Sequence, residues 1–153
     1  MTDTKPPAYT PVKVISCEEI IKIIPHRQPF LLIDKVEIVE ENRLGVGTKC
    51  VTAGEPYFPG HFPSKPVMPG VLILESMAQT AAAMLMSKPE LKGRLAYFAG
   101  IDEARFRRQV VPGDVLKLHI EIAKIRGKIC MVNGRAFVGD EAAAEAKLIF
   151  VVD

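Results

Sequence analysis

The sequence has few cysteines, and their positions exclude two common kinds of small stabilised domain. Among 153 residues the three cysteines Cys17, Cys50 and Cys130 are far apart, and no CxxC pair occurs. An odd number at such spacing argues against a disulfide framework or a zinc site and favours a reducing compartment. The three histidines do not have metal-ligand spacing either. We therefore expect a cytoplasmic protein without a bound metal.

Long apolar runs and a strong charge of one sign are also missing. The opening MTDTKPPAYTP has no apolar core like that of a signal peptide, and the longest apolar stretch is interrupted by Glu75 and Gln79. A net charge of +2 is too small to indicate a nucleic-acid partner. With 48% apolar and 25% charged residues, the composition is typical of one soluble globular domain. We expect neither a membrane nor a nucleic acid as partner.

The order of elements predicts an α+β fold. Residues 1–14 are polar and contain three prolines, which indicates a mobile tail before a single domain over 15–153. Ser16 and Glu19 form a possible capping box for a short helix that ends before Pro25. Period-2 patterns and turn residues predict the following strands: about 33–41, 43–52, 95–106, 114–126, 129–138 and 142–152.

One strong helix is predicted between the early and late strands, over residues 70–86. Its sequence GVLILESMAQTAAAMLM is rich in good helix formers, has no internal proline and is apolar on nearly all sides. A helix of that kind is buried rather than laid on a surface. We therefore expect an antiparallel sheet curled around a single central helix.

Glu75 is the anomalous residue of that helix. An ionised carboxylate is costly to bury without a partner, and Gln79, four residues on, lies on the same helical face. Either Glu75 reaches solvent at an edge of the sheet, or it lies in a partly apolar pocket. A carboxylic acid in such a pocket can hand a proton to a leaving hydroxyl.

His61 is the natural partner of this acid. It lies in EPYFPGHFPSKPVMPG, whose proline content excludes a regular helix or strand and whose three aromatic residues indicate an ordered loop. A histidine in a rigid loop suits a general base, although a lone loop histidine more often has a structural hydrogen bond. Of the other histidines, His119 is expected to be structural, and we assign no proton transfer to His26.

Gly70 opens the helix and has two interpretations. The N–H groups of a first helical turn lack partners in the helix and carry partial positive charge, so a ligand carbonyl could bind there. Such a contact would stabilise enolate-like charge on a thioester oxygen. Alternatively, the glycine only eases the corner between loop and helix.

Three segments together resemble a known family. PHRQPFLLID, GHFPSKPVMPGVLILESMAQ and YFAGIDEARFRRQVVPGD are similar to the beta-hydroxyacyl-(acyl carrier protein) dehydratases of bacterial type II fatty-acid synthesis, over about residues 15–152. The resemblance implies the hot-dog fold and removal of water to give a trans-2-enoyl thioester without any cofactor. It also implies homodimers, usually three in a hexamer, with sites between subunits. One departure is Gln28, where the family commonly has an aromatic residue.

The resemblance also implies roles for individual residues. His61 and Glu75 match the catalytic pair, with Glu75 supplied by the neighbouring subunit, Gly70 the thioester-binding amide, and Gln79 the residue that supports the acid. Phe62, Tyr97 and Phe98 match residues that line the acyl tunnel. Glutamate at position 75 favours plain dehydration, because the sister dehydratase/isomerases have aspartate there.

An arginine cluster follows Tyr97 and Phe98 in the sequence. Arg105, Arg107 and Arg108 could dock an acidic acyl carrier protein, or could be the charged residues that protect a solvated edge strand. Three other functions stay open: a dehydratase/isomerase that makes cis-3-enoyl chains, a hot-dog thioesterase, and a non-catalytic acyl-binding module. The sequence leaves open the acyl chain length, and whether products go to phospholipid or lipid A.

Overall fold

The computed structural model describes residues 5–153, and within them the chain forms two α-helices and one seven-stranded sheet. The elements in chain order are β1 Lys13–Ile15, α1 Cys17–Ile23, β2 Lys35–Glu40, β3 Leu44–Cys50, α2 Gly70–Met86, a 3-10 helix Pro89–Leu91, β4 Ala96–Phe106, β5 Val115–Arg126, β6 Ile129–Val138 and β7 Glu141–Val152. The predicted central helix has the same bounds as α2. The six predicted strands agree with β2 to β7 to within a few residues at each end.

The sheet is antiparallel throughout and open, with the strand order β1-β2-β3-β5-β6-β7-β4. It curls around α2, which contacts β2, β3, β5, β6 and β7. Two glycines allow this close approach, because a Cβ at Gly45 or at Gly134 would lie 2.7 Å from the sulfur atom of Met84 or Met77. The expected α+β arrangement, a central helix wrapped by a curled sheet, is therefore confirmed.

The start of α1 follows directly from local chemistry. The Ser16 side chain accepts a hydrogen bond from the Glu19 N–H, and the Glu19 carboxylate accepts one from the Ser16 N–H. This reciprocal capping box satisfies two donors that the first turn leaves free. The predicted capping box is therefore present.

The sequence analysis did not predict β1. Of the segment 1–14, residues 1–4 lie outside the described part of the chain, whereas Lys13–Ile15 pair with β2. Upstream, the Tyr9 hydroxyl donates a hydrogen bond of 2.6 Å to Glu37 on the same strand. A strand of three residues has too short a pattern to recognise, and it forms because the free edge of β2 offers backbone partners.

One face of α2 is less completely covered by the chain at its start than along the rest of the helix. Val71, Glu75, Ala78 and Ala82 follow one another at intervals of four, three and four residues, so they share this face. Val71 is 70% exposed, Glu75 and Ala82 are partly exposed, and Ala78 is buried. Strand β4, at the edge of the sheet, also leaves several large apolar side chains exposed, among them Tyr97, Phe98, Ile101 and Phe106. These two surfaces contain or adjoin the residues of the candidate site.

Candidate active site

The loop before α2 has a fixed shape. The His61 N–H donates to the Phe58 carbonyl, and the His61 carbonyl accepts from the Val67 N–H at 2.9 Å. Phe62 and Lys65 exchange two backbone hydrogen bonds within the same turn. The Phe58 side chain is buried in the hydrophobic core and so anchors the loop to it. The interpretation of this proline-rich segment as an ordered loop agrees with these contacts.

The His61 ring is oriented by a single hydrogen bond. Its Nδ1 lies 2.7 Å from the Val67 carbonyl oxygen. Because a carbonyl can only accept, Nδ1 must carry the hydrogen, and in the neutral ring Nε2 is left with a free lone pair. The ring is partly buried and stacks on Phe62 with centroids 4.0 Å apart. This arrangement leaves Nε2 as the basic atom.

His61 opens into a cavity of about 430 Å³ at the start of α2. The walls include Gly70, Val71, Phe106 and Arg107. A Cβ built on Gly70 would lie 2.7 Å from the Phe106 ring, so only glycine fits beneath that ring as it stands. In the first turn of α2 the Leu72 and Ile73 N–H groups donate to the Pro69 carbonyl, whereas, within the described residues, the Gly70 and Val71 N–H groups are free to donate to a ligand oxygen.

Glu75 lies one turn further along α2 and is held by Gln79. Gln79 is fully buried and uses every hydrogen-bonding group. Its carbonyl oxygen accepts from the Leu32 N–H, and its amide nitrogen donates to the Phe30 carbonyl and to Glu75 Oε1 at 3.0 Å. The Glu75 side chain is 17% exposed, so it is neither sealed in the core nor out in bulk water.

Sequence reasoning missed one neighbour of Glu75. His26 Nε2 lies 3.6 Å from Glu75 Oε1, and the two side chains line the same small cavity of about 40 Å³ with Ala78, Ala82 and Phe98. The residues are 49 positions apart in the sequence, so no local pattern could have joined them. The only signal was the presence of a histidine beside the PFLL segment that carries Phe30 and Leu32.

His61 and Glu75 line different cavities of the described chain. The larger cavity contains His61 and Gly70, and the smaller one contains Glu75, Gln79 and Phe98. The smaller one holds little more than one water molecule. Within the described residues, no single cavity is therefore lined by both His61 and Glu75.

The three predicted tunnel residues lie in different settings. Phe98 is in the cavity of Glu75, with its ring packed on Phe150 at 5.1 Å. Phe62 stacks on His61 and is half exposed. Tyr97 is also half exposed and precedes Phe98, on the opposite face of edge strand β4. Phe98 therefore lies beside Glu75, and Phe62 lies beside His61.

The three arginines of the cluster, Arg105, Arg107 and Arg108, differ in their hydrogen-bond and ion-pair partners. Arg108 bonds Asp114 at 2.8 Å and approaches Glu141 at 3.4 Å. Although burial alone would raise it, the pKa of Asp114 is lowered by the bonds from Arg108 and from the Val111 N–H. Arg107 pairs with Glu145 at 2.6 Å, and Arg105 donates to the neighbouring Ala104 carbonyl. Arg108 thus fastens the turn before β5, whereas Arg105 has no carboxylate partner within residues 5–153.

His119 has a structural environment on the outer face of the sheet, away from α2. Burial, followed by the charges of Arg135 and Lys117, lowers the pKa of His119 to about 4. Its ring packs edge-on against Tyr9 and Phe137.

Among the described residues, no helix is long and apolar enough to cross a membrane. No group of three or more His, Cys, Asp or Glu side chains in that range is arranged to hold a metal ion.

Comparison with known proteins identifies the family. The family model of the FabA-like domain matches residues 24–147, which is most of the chain. The chain belongs to the FabA-like family. Among the FabA-like relatives, the 3-hydroxyacyl-(acyl-carrier-protein) dehydratase FabZ of Pelotomaculum thermopropionicum is 55% identical over 91% of this chain and 99% of its own length. The enzyme of that name from Moorella thermoacetica is 59% identical over 85% of this chain and 91% of its own.

Solved structures agree on the fold of this FabA-like chain. The dehydratase heterocomplex ApeI:P of Xenorhabdus doucetiae gives a TM-score of 0.62 at 22% identity, covering 76% of this chain and 93% of that chain. A hot-dog-like protein from Thermanaerovibrio acidaminovorans gives a TM-score of 0.59 at 18% identity, with 72% and 80% covered. The expected hot-dog fold is confirmed.

Proposed function

We propose that this chain removes water from 3-hydroxyacyl groups on acyl carrier protein, leaving trans-2-enoyl thioesters during fatty-acid elongation. The observation that carries the proposal is a fixed imidazole and a partly buried carboxyl in a chain 55% identical to relatives named for that reaction. Neither group needs a metal or an organic cofactor, because the thioester itself delocalises the charge formed at the alpha carbon.

The proposed reaction assigns one proton to each group. His61 Nε2 takes the alpha proton while the Gly70 N–H binds the thioester oxygen, on which negative charge develops. The electron pair of the broken C–H bond forms the new C=C bond as the beta C–O bond breaks. Glu75 donates a proton to the departing hydroxyl, which leaves as water. Proton transfer through solvent then restores both groups.

The product distinguishes this reaction from its alternatives. We expect purified chain and a 3-hydroxyacyl carrier substrate to give the conjugated trans-2-enoyl thioester, detected by its ultraviolet absorbance and by mass spectrometry. A cis-3-enoyl product would indicate a dehydratase/isomerase, and release of free thiol would indicate a thioesterase. Binding without any turnover would indicate an acyl-binding module. Each of these three outcomes would contradict the proposal.

We propose further that a homodimer completes the site, with His61 of one subunit facing Glu75 of the other. Support comes from the separate cavities of the two groups, from the exposed apolar side chains of β4 and from the exposed Val71 at the start of α2. Obligate interfaces are rich in such apolar surface. Three such dimers in a hexamer is the assembly that the resemblance implies.

Mixing two inactive variants tests the shared site. Co-refolding His61→Ala with Glu75→Gln at equal amounts should restore about a quarter of wild-type activity, because half of the dimers are mixed and each has one intact site. Each variant refolded alone is the control and should stay inactive. If both residues came from one chain, every site in the mixed dimers would be damaged, and no activity would return.

Gly70→Ala should lower kcat/KM about a hundredfold. The added methyl group would collide with Phe106, and displacement by about 1 Å at a reacting centre commonly costs that much. Gly60→Ala is the matched control, since its Cβ would meet nothing closer than 3.9 Å. The measurement is kcat/KM of both variants from steady-state kinetics. Equal values for Gly70→Ala and Gly60→Ala would show that Gly70 does not bind the thioester oxygen.

Docking of the carrier is proposed at Arg105 and Arg107, which flank the His61 cavity wall at Phe106. Acyl carrier proteins are acidic, so exposed guanidinium groups there would steer and orient them. Arg105 has the freest charge of the three, because Glu145 pairs with Arg107, and Asp114 and Glu141 pair with Arg108.

We place the reaction in the cytoplasm, in keeping with three cysteines that form no disulfide in the structure.

A further inference from the structure

We infer that His26 is a positioning residue for Glu75: it holds Oε1 of the carboxyl together with Gln79, and so leaves Oε2 to meet the substrate. The inference rests on the proposed function, since it concerns how the proposed acid is oriented. It adds a third group to the His61–Glu75 pair, from a loop that contributes no other side chain to the reaction.

The first observation is the geometry around Oε1. Gln79 donates to this oxygen at 3.0 Å, and His26 Nε2 lies 3.6 Å from the same atom. A separation of 3.6 Å exceeds that of a hydrogen bond, so the contact with His26 is electrostatic in the free chain. Contacts of this kind commonly tighten when substrate binds. Both donors face one oxygen, and Oε2 has neither.

The second observation concerns the other ring nitrogen. His26 Nδ1 is buried and has no hydrogen-bond partner among residues 5–153. A buried N–H without an acceptor is costly. The neutral ring therefore places its hydrogen on Nε2, which faces the carboxyl, and leaves a lone pair on Nδ1. The tautomer that the surroundings favour is the one that can donate to Glu75.

The third observation is the rigidity of the loop between α1 and β2. The Arg27 guanidinium donates to the carbonyls of Ile21, Ile24 and His26, at 2.7 to 2.9 Å, and so fixes the backbone at His26. Gln79 binds the other end of the loop through Phe30 and Leu32. These hydrogen bonds connect the loop that carries His26 to Gln79, the residue that also binds Glu75.

The consequence is a carboxyl group with two distinct oxygens. Because Oε1 receives the donors, a proton on the neutral acid belongs on Oε2, which is the oxygen free to hand it to a hydroxyl. Without His26, the group would retain only one donor, and rotation about its last bond would become easier. A misaligned acid lowers the rate of the chemical step more than it weakens substrate binding.

Kinetics of His26 variants tests this role. We expect His26→Phe, which keeps the ring but removes the donor, to lower kcat about tenfold with KM changed less than about twofold. His26→Gln, which restores a donor near Nε2, should recover most of the loss. Gln28→Ala in the same loop is the matched control and should behave like wild type. Circular dichroism and thermal unfolding check that each variant is folded.

A double-mutant cycle separates positioning from a merely structural effect. If His26 acts through Glu75, adding His26→Phe to Glu75→Gln should cost less than about twofold, because the group it orients is already gone. A kcat of His26→Phe equal to that of wild type, or the same tenfold loss in the Glu75→Gln background, would overturn the inference. A wild-type chain that makes no enoyl product would overturn the proposed function and the inference with it.

Discussion

Replacing His61 by alanine should lower kcat about 10²- to 10⁴-fold, the usual contribution of a positioned general base. The Val67 carbonyl holds the hydrogen on Nδ1, so Nε2 is the one basic atom of the ring, and alanine removes it. Alanine also removes the Nδ1 hydrogen bond to Val67, but the loop retains its backbone hydrogen bonds at Phe58, Val67 and Lys65. The effect should therefore be much larger on the rate of enoyl formation than on the unfolding temperature.

A control in the same loop distinguishes loss of the base from loss of the loop. Lys65→Ala removes an exposed side chain and keeps the backbone pairing with Phe62. We expect this variant to match wild type in kcat and stability. If His61→Ala retained turnover within about threefold of wild type while properly folded, the base would have to be another group.

Replacing Glu75 by glutamine should also lower kcat about 10²- to 10⁴-fold, because an amide has no acidic proton for the leaving hydroxyl. Glutamine has nearly the same size, so the packing of α2 should change little. It can still accept a hydrogen bond from Gln79 through its carbonyl oxygen. KM should therefore change less than kcat, and the measurement is steady-state dehydration of a beta-hydroxyacyl thioester.

Two further substitutions interpret that result. Glu75→Asp keeps an acidic proton but shortens the side chain, so its kcat should lie between those of Glu75→Gln and wild type. Glu90→Gln, in the exposed 3-10 helix that follows α2, removes a carboxylate that does not line the cavity of Glu75 and should have no effect. A Glu75→Gln variant as active as Glu90→Gln would show that another acid protonates the hydroxyl.

Much of the fold follows from local patterns. The bounds of α2 could be predicted because Pro69 and Gly70 start it, no proline interrupts it and its apolar residues surround the axis. The capping box at Ser16 and Glu19 is local as well. β1 could not be predicted, since three residues carry no periodic signal and the strand depends on the free edge of β2.

In the candidate site, too, some residues could be predicted from local sequence, whereas contacts between distant residues could not. His61 and Glu75 were accessible to sequence reasoning because each is unusual in its own segment, a histidine in a proline-rich loop and an acid in a buried helix. The contact of His26 with Glu75 was not accessible, because it joins residues from a loop and a helix far apart in the chain. The approach of Arg108 to Glu141 likewise exists only after β4 and β7 are placed.

The sequence by itself therefore indicated the type of chemistry, through the family resemblance of a long motif that contains His61, Gly70 and Glu75. It also determined the element order, because hydrophobic periodicity acts over a few residues. The tertiary structure alone decided which atoms of His61 and Glu75 have polar partners and which do not. That choice depends on partners such as the Val67 carbonyl, Gln79 and His26, which only packing brings within hydrogen-bonding or electrostatic range.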